Sequence, residues 1–129
     1  MRSCYEAPLS IHGDASSSVV VFEEGTVPFP VRRTFLVKAN EGEIRGAHAH
    51  RGCSQFPVVI RGEILVTVFD GSVSRKFLLN DLAQGLVIPP LNWATQKYLR
   101  NDSTLLVVCD QVFDEADYIR DLEEFRRLI

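Results

Sequence analysis

The chain has 129 residues, of which 46% are hydrophobic and 24% charged, with a formal net charge of −3. That length suits one domain, 1–129, with a real core, and the balance of apolar and charged residues excludes a disordered or fibrous class. The 14 Lys and Arg are scattered rather than gathered in a tract, which argues against a nucleic-acid surface but allows a local cluster that binds one pyrophosphate.

The amino terminus, Met1-Arg2-Ser3-Cys4-Tyr5-Glu6, leads into Pro8, His12 and Asp14 instead of an apolar segment, and no run reaches membrane-spanning length. The expectation is a soluble, cytoplasmic protein with no membrane partner. His12 sits in a Ser-rich stretch and reads as a solvated surface residue.

From Val19 to Val112 short runs of β-branched and aromatic residues alternate with Gly, Pro, Asn and Asp, the pattern of an all-β sandwich or barrel. Strands are predicted over Val19 to Glu23, Arg32 to Lys38, Ile44 to His50, Gln55 to Arg61 and Glu63 to Phe69. Four more follow over Ser72 to Leu78, Gly85 to Ile88, Ala94 to Leu99 and Thr104 to Asp110. Asp70-Gly71 between two of them is a hairpin signal, because those residues tolerate positive φ. Arg61-Gly62 marks a second turn, and Pro89-Pro90 must end a strand because proline cannot donate to a ladder. The period then changes: Asp114 is placed to cap a helix whose apolar stripe runs through Tyr118, Ile119, Leu122, Phe125 and Leu128.

The stretch that carries chemistry is Gly42-Glu43-Ile44-Arg45-Gly46-Ala47-His48-Ala49-His50-Arg51. On a strand, His48 and His50 project from one face, roughly 6 to 7 Å apart. Ala47 and Ala49 alternate with them and are expected to pack against another layer. A lone histidine would read as a satisfied core residue, but a pair on one face points to function. Cys4, Cys53 and Cys109 are odd in number and form no C-x-x-C, so neither a disulfide framework nor a zinc knuckle is indicated. Cys53, close to the histidines, reads as a partly buried structural thiol, since nothing around it would lower its pKa.

Gly42, His48, His50 and Gly62 occupy the frame of the first cupin motif, and the chain resembles that superfamily. The resemblance implies a small jelly-roll barrel. Gln55 stands where the motif places an acidic ligand, and Pro89-Pro90-Leu91-Asn92-Trp93-Ala94-Thr95-Gln96 holds no second-motif histidine. Two imidazoles and a neutral amide are a poor donor set for a catalytic metal, so no metal and no cofactor are expected. A neutral imidazole with an ordinary pKa of about 6.5 can instead take and return a proton near neutrality, which directs attention to isomerases and epimerases.

The resemblance narrows with Arg45-Gly46-Ala47-His48-Ala49-His50-Arg51, Ile88-Pro89-Pro90-Leu91-Asn92-Trp93 and Asp114-Glu115-Ala116-Asp117-Tyr118-Ile119-Arg120-Asp121. Together these are similar to the WxcM-like cupins, nucleotide-linked 4-keto-6-deoxyglucose 3,4-ketoisomerases. The resemblance implies a dTDP-linked 4-keto-6-deoxyhexose converted to its 3-keto isomer, and a homodimer with exchanged strands. Its product would feed an aminotransferase in surface-polysaccharide or glycosylated-metabolite synthesis. His48 would move the proton between C3 and C4, and His50 would serve the hydroxyl and carbonyl oxygens. Arg45 and Arg33 are the candidate anion contacts, with Gln55 and Trp93 as further substrate contacts.

Phe35 stands where such proteins commonly carry a tyrosine, and Ala94 follows the tryptophan in place of a polar residue. One phenolic proton carrier is thereby lost. The competing readings are a nucleotide-sugar 3,5-epimerase, for which no His-Asp pair with an opposing Tyr is identified, a non-catalytic sugar-binding cupin, and a metal-dependent dioxygenase.

Overall fold

A computed structural model describes residues 3–80, 82 and 84–129, so Met1 and Arg2 of the amino-terminal reading lie outside it. Twelve strands run through the described residues: β1 (Tyr5–Pro8), β2 (Ser10–Gly13), β3 (Ser18–Val21), β4 (Arg33–Ala39), β5 (Ile44–His50), β6 (Gln55–Arg61), β7 (Ile64–Phe69), β8 (Ser74–Leu79), β9 (Gln84–Val87), β10 (Trp93–Tyr98), β11 (Ser103–Cys109) and β12 (Tyr118–Ile119). A helix, α1 (Leu122–Leu128), ends the chain.

Two sheets face each other. One has the order β12-β5-β10-β7-β8, and the other has β4-β11-β6. The second continues from β6 to β9 and β1 through reciprocal hydrogen bonds between Gln55 and Ile88, of 3.0 and 2.9 Å. The ladders do not close on themselves, so the expected all-β cupin jelly roll with a short carboxy-terminal helix is built as a sandwich of facing sheets.

Period-2 burial explains the layers. On β7, Ile64, Val66 and Val68 point inward to meet Leu105, Val107, Phe77 and Leu79 in the central core. β6 is buried on both faces, because Phe56 and Val58 turn outward beneath Leu9, Val27, Val20 and Phe29 of the amino-terminal segment. The opposite outer face is covered by α1, whose Phe125 packs on Ala49 and Ile119.

Three local expectations are corrected. The β7–β8 loop is longer than Asp70-Gly71 alone: the Asp70 carboxylate accepts from Ser72 N at 2.8 Å and Val73 N at 2.9 Å, which takes those amides out of the ladder and starts β8 at Ser74. β1 and β2 have no counterpart among the predicted strands, since each is only four residues long and mixes Pro, Ser, His and Gly with its apolar positions. The tail is not one helix. Asp114 caps a single 3-10 turn over Glu115–Asp117, Tyr118–Ile119 then pair with β5, and Asp121 caps α1 through Glu123 N at 3.2 Å. Ladder bonds to the open edge of β5 prevail over helical spacing in that segment.

Phe125 is fully buried and pins both α1 and, through Ile119, the β12 ladder. Phe125→Ala is expected to cost about 3 to 5 kcal/mol, read as a lower midpoint in urea unfolding.

Candidate active site

A backbone irregularity aims the site. In a regular strand Arg45 and His48, three residues apart, would point to opposite faces. The pairing of β10 with β5 shifts register between Ala94↔His48 and Thr95↔Gly46, leaving Ala47 as the extra residue of a bulge. Gly46 and Ala47 take φ of +86° and +58°. A side chain on Gly46 would stand 2.9 Å from the carbonyl oxygen of Ala94, so only glycine lets β5 lie this close to β10. The bulge puts Arg45 and His48 on one face. It also leaves Ala47 exposed, against expectation, while Ala49 packs in the layer beneath α1.

That face opens on a cavity of about 170 Å³ lined by residues of β4, β5, β6, β10 and β12, and by Arg120 just beyond β12. Arg33, Arg45, His48 and Gln55, all singled out in the sequence, line it, and Tyr118, Arg120 and Gln96 join them. His50 lies behind His48, 7% exposed, with the two rings edge to face at 5.1 Å. Trp93 is not brought here. Successive β10 residues alternate faces, so Gln96 points into the cavity while Trp93 and Thr95 line a separate depression under α1, with the Trp93 ring 5.9 Å from Phe125.

The 3-10 turn and β12 supply what sequence reading missed. His50 Nδ1 is 2.8 Å from Asp117 Oδ2, and because an ionised carboxylate only accepts, Nδ1 carries the hydrogen. Asp117 Oδ1 accepts from Gly52 N at 2.6 Å, and its carbonyl accepts from Arg51 N at 2.8 Å. The pair the epimerase reading lacked, an aspartate on a histidine with a tyrosine beside it, therefore exists as Asp117, His50 and Tyr118. Its signal lay in Asp117-Tyr118-Ile119-Arg120, which helical spacing assigned to the wrong element. Tyr118 lies against both imidazoles, with ring centroids 5.1 Å from His48 and 4.4 Å from His50.

Burial holds the pair neutral. It pushes His48 down to about 4, assisted by the neighbouring imidazole of His50. His50 is lowered too, by burial first, with Asp117 working in the opposite direction, so the His50–Asp117 contact is a hydrogen bond of neutral imidazole to carboxylate near pH 7. His48 Nδ1 and His50 Nε2 are buried without a partner in the protein.

The lining includes three guanidinium groups, of Arg33, Arg45 and Arg120, and no carboxylate. That electrostatic character suits an anion and opposes a divalent cation. Gln55 turns its amide nitrogen to Cys109 Sγ at 3.7 Å. A second set of donors, His50, Cys53 and Asp117, lies within 4.8 Å of one another, but the Asp117 carboxylate is already engaged by His50 and Gly52. Cys53 is raised by its contact with the Cys109 thiol and by burial, which keeps the thiol protonated, as a structural thiol should be. The residues do not fit a resident metal. His12 is exposed and bonded to Ser10 Oγ at 2.9 Å, far from this chemistry.

The family described as FdtA: WxcM-like, C-terminal matches residues 4–129. The chain belongs to this WxcM-like family. A similar protein is the TDP-4-oxo-6-deoxy-alpha-D-glucose-3,4-oxoisomerase of Aneurinibacillus thermoaerophilus, 31% identical over 118 residues that make up 90% of this chain and 85% of that protein. Among solved structures, a 3,4-ketoisomerase from Helicobacter canadensis superposes with a TM-score of 0.93 at 25% identity, covering 99% of this chain and 98% of the other. The WlaRB TDP-quinovose 3,4-ketoisomerase of Campylobacter jejuni gives 0.90 at 29% identity, with 98% and 99% covered. In this WxcM-like chain His48 stands in the arginine-lined cavity with His50 packed behind it.

Neutral buried histidines make stability depend on pH. Below about 6.5 each imidazole of the unfolded chain binds a proton, while folded His48 stays neutral until about 4. The unfolded state therefore binds more protons in that window, and stability falls as pH is lowered from 6.5 toward 4. Urea unfolding at several pH values should show this slope reduced in His48→Asn relative to wild type.

Proposed function

We propose that the protein is a sugar-nucleotide 3,4-ketoisomerase that converts a dTDP-linked 4-keto-6-deoxyhexose to its 3-keto isomer through an enediol, without metal or organic cofactor. The observation that carries this reading is a neutral imidazole, His48, in an arginine-lined cavity with a second, Asp117-bonded imidazole, His50, packed against it, in a chain of the WxcM-like family.

His48 lines the cavity and stays unprotonated well below neutral pH, so it is the group to take the C3 proton and return it to C4. His50, its Nδ1–H committed to Asp117, keeps Nε2 as an acceptor and packs its ring edge to face on His48, where it holds the base in place. Arg33 and Arg45 meet the negative charge of the diphosphate or of the developing enediolate, and the Gln55 amide closes the cavity floor. Trp93 has no part in this arrangement.

The protein acts in the cytoplasm as a homodimer, with a product destined for transamination in deoxysugar or polysaccharide synthesis. No helix among the described residues is long and apolar enough to cross a membrane. Support for a second copy comes from the β2–β3 hairpin, which pairs only with itself among the described strands and exposes Ile11 and Val19.

The 3,5-epimerase is the one competing reading with an observation in its favour, the Asp117–His50 pair beside Tyr118. The similarity to ketoisomerases outweighs it. Proton NMR of dTDP-4-keto-6-deoxyglucose in deuterated buffer separates them: the 3-keto isomer is expected, whereas deuterium at C3 and C5 with the 4-keto group retained would establish an epimerase. An unchanged sugar that nevertheless binds would make the protein a binding module. His48→Asn should lower kcat by about 10²- to 10⁴-fold with an unchanged thermal melt.

A further inference from the structure

Isomerisation between C3 and C4 moves two protons, one between carbons and one between oxygens. His48 accounts for the first. The second needs a group that gives a proton to O4 and then takes one from O3. His50 cannot begin that exchange, because its Nδ1–H is held by Asp117 and its Nε2 carries no hydrogen. The arginines donate hydrogen bonds but do not deprotonate. Gln55 and Gln96 are amides, and Phe35 offers no polar group to the cavity at all.

We propose that the Tyr118 phenol is the catalytic acid and base for the sugar oxygens. The inference rests on the ketoisomerase reading above. Tyr118 lines the same cavity as His48 and lies against both imidazole rings. Arg33 Nη1 approaches its hydroxyl at 3.4 Å, and since a guanidinium only donates, the phenolic oxygen accepts. Its own proton has no acceptor among the described residues and is free for a ligand. The buried Tyr98 is the contrast, for its hydroxyl donates to Gln96 Oε1 at 3.1 Å.

Two guanidinium groups flank Tyr118. The Arg120 guanidinium lies 4.3 Å over its ring, fixed by two hydrogen bonds to Glu115 of 2.7 and 3.0 Å, and Arg33 stands at the oxygen. In the forward direction the C3–H bond breaks with its proton going to His48, while the phenolic O–H breaks and its proton goes to O4, leaving the enediol and a tyrosinate. The tyrosinate then takes the O3 proton as the C3 carbonyl forms, and the imidazolium of His48 delivers its proton to C4. Nothing is oxidised or reduced by an outside reagent, and both protein groups return to their starting state. The phenolic group lost at Phe35 is thus supplied from the other sheet, by β12.

Tyr118→Phe keeps the ring against both histidines and removes only the hydroxyl. With dTDP-4-keto-6-deoxyglucose as probe, kcat is expected to fall about 10²-fold or more with KM within about threefold and the thermal melt unchanged. Incorporation of 3,5-difluorotyrosine at 118, a more acidic phenol, should restore turnover and move the alkaline limb of kcat to lower pH. A Tyr118→Phe variant with kcat within about threefold of wild type overturns the assignment and leaves the ketoisomerase reading standing. A wild-type protein that does not isomerise the sugar removes both.

Discussion

A 2.8 Å hydrogen bond from His50 to Asp117 joins the two halves of this site, and much of the local structure serves it. The histidine comes from β5 in the middle of the chain and the aspartate from a 3-10 turn near its end, so the contact forms only once the tail has folded back. Capping by Asp114, the pairing of Tyr118 with His50 and the seating of Phe125 under β5 fix that return path. The bond chooses the tautomer of His50, with the hydrogen on Nδ1 and none on Nε2. The same ladder carries Tyr118 to the imidazoles and Arg120 to the cavity edge.

Electrostatics and burial then divide the labour. The protein is acidic overall, yet the cavity lining gathers three guanidinium groups and no carboxylate, so attraction for an anion is local and not a property of the whole surface. Within that positive rim, burial keeps both imidazoles neutral. A neutral base beside cationic groups is free to accept a proton while nearby negative charge is met by the guanidinium groups. Placing carboxylate ligands in the same cavity would reverse that balance, and Gln55 in the acidic position of the cupin frame is consistent with a site that works by proton transfer.

Much of this was legible in the sequence because it followed local rules. His48 and His50 share a face by the period of a strand, and most of the strands from β3 onward are marked by β-branched runs between turn residues. Arg33, Arg45 and Gln55, named from the sequence, come together at one cavity. What escaped depends on contacts distant in sequence or on a departure from regular geometry. The bulge at Ala47 carries no composition signal beyond the glycine before it, yet without it Arg45 would face away from His48. Asp117 and Tyr118 sit at a spacing that fits a helix, and only the free edge of β5 makes a strand of them. Trp93 follows a proline pair in a motif that reads as a substrate contact, but strand alternation sends it to the opposite face, under α1.

The fold holds two imidazoles neutral and, through Asp117, sets the tautomer of His50. Long-range proton–nitrogen NMR of the 15N-labelled protein reads this directly, because protonated, hydrogen-bearing and bare ring nitrogens have distinct shifts. At pH 7 a hydrogen is expected on His50 Nδ1 and none on Nε2, with His48 neutral and remaining so on acidification through pH 6. A His48 imidazolium at pH 7, or a His50 ring bearing its hydrogen on Nε2 alone, would contradict it.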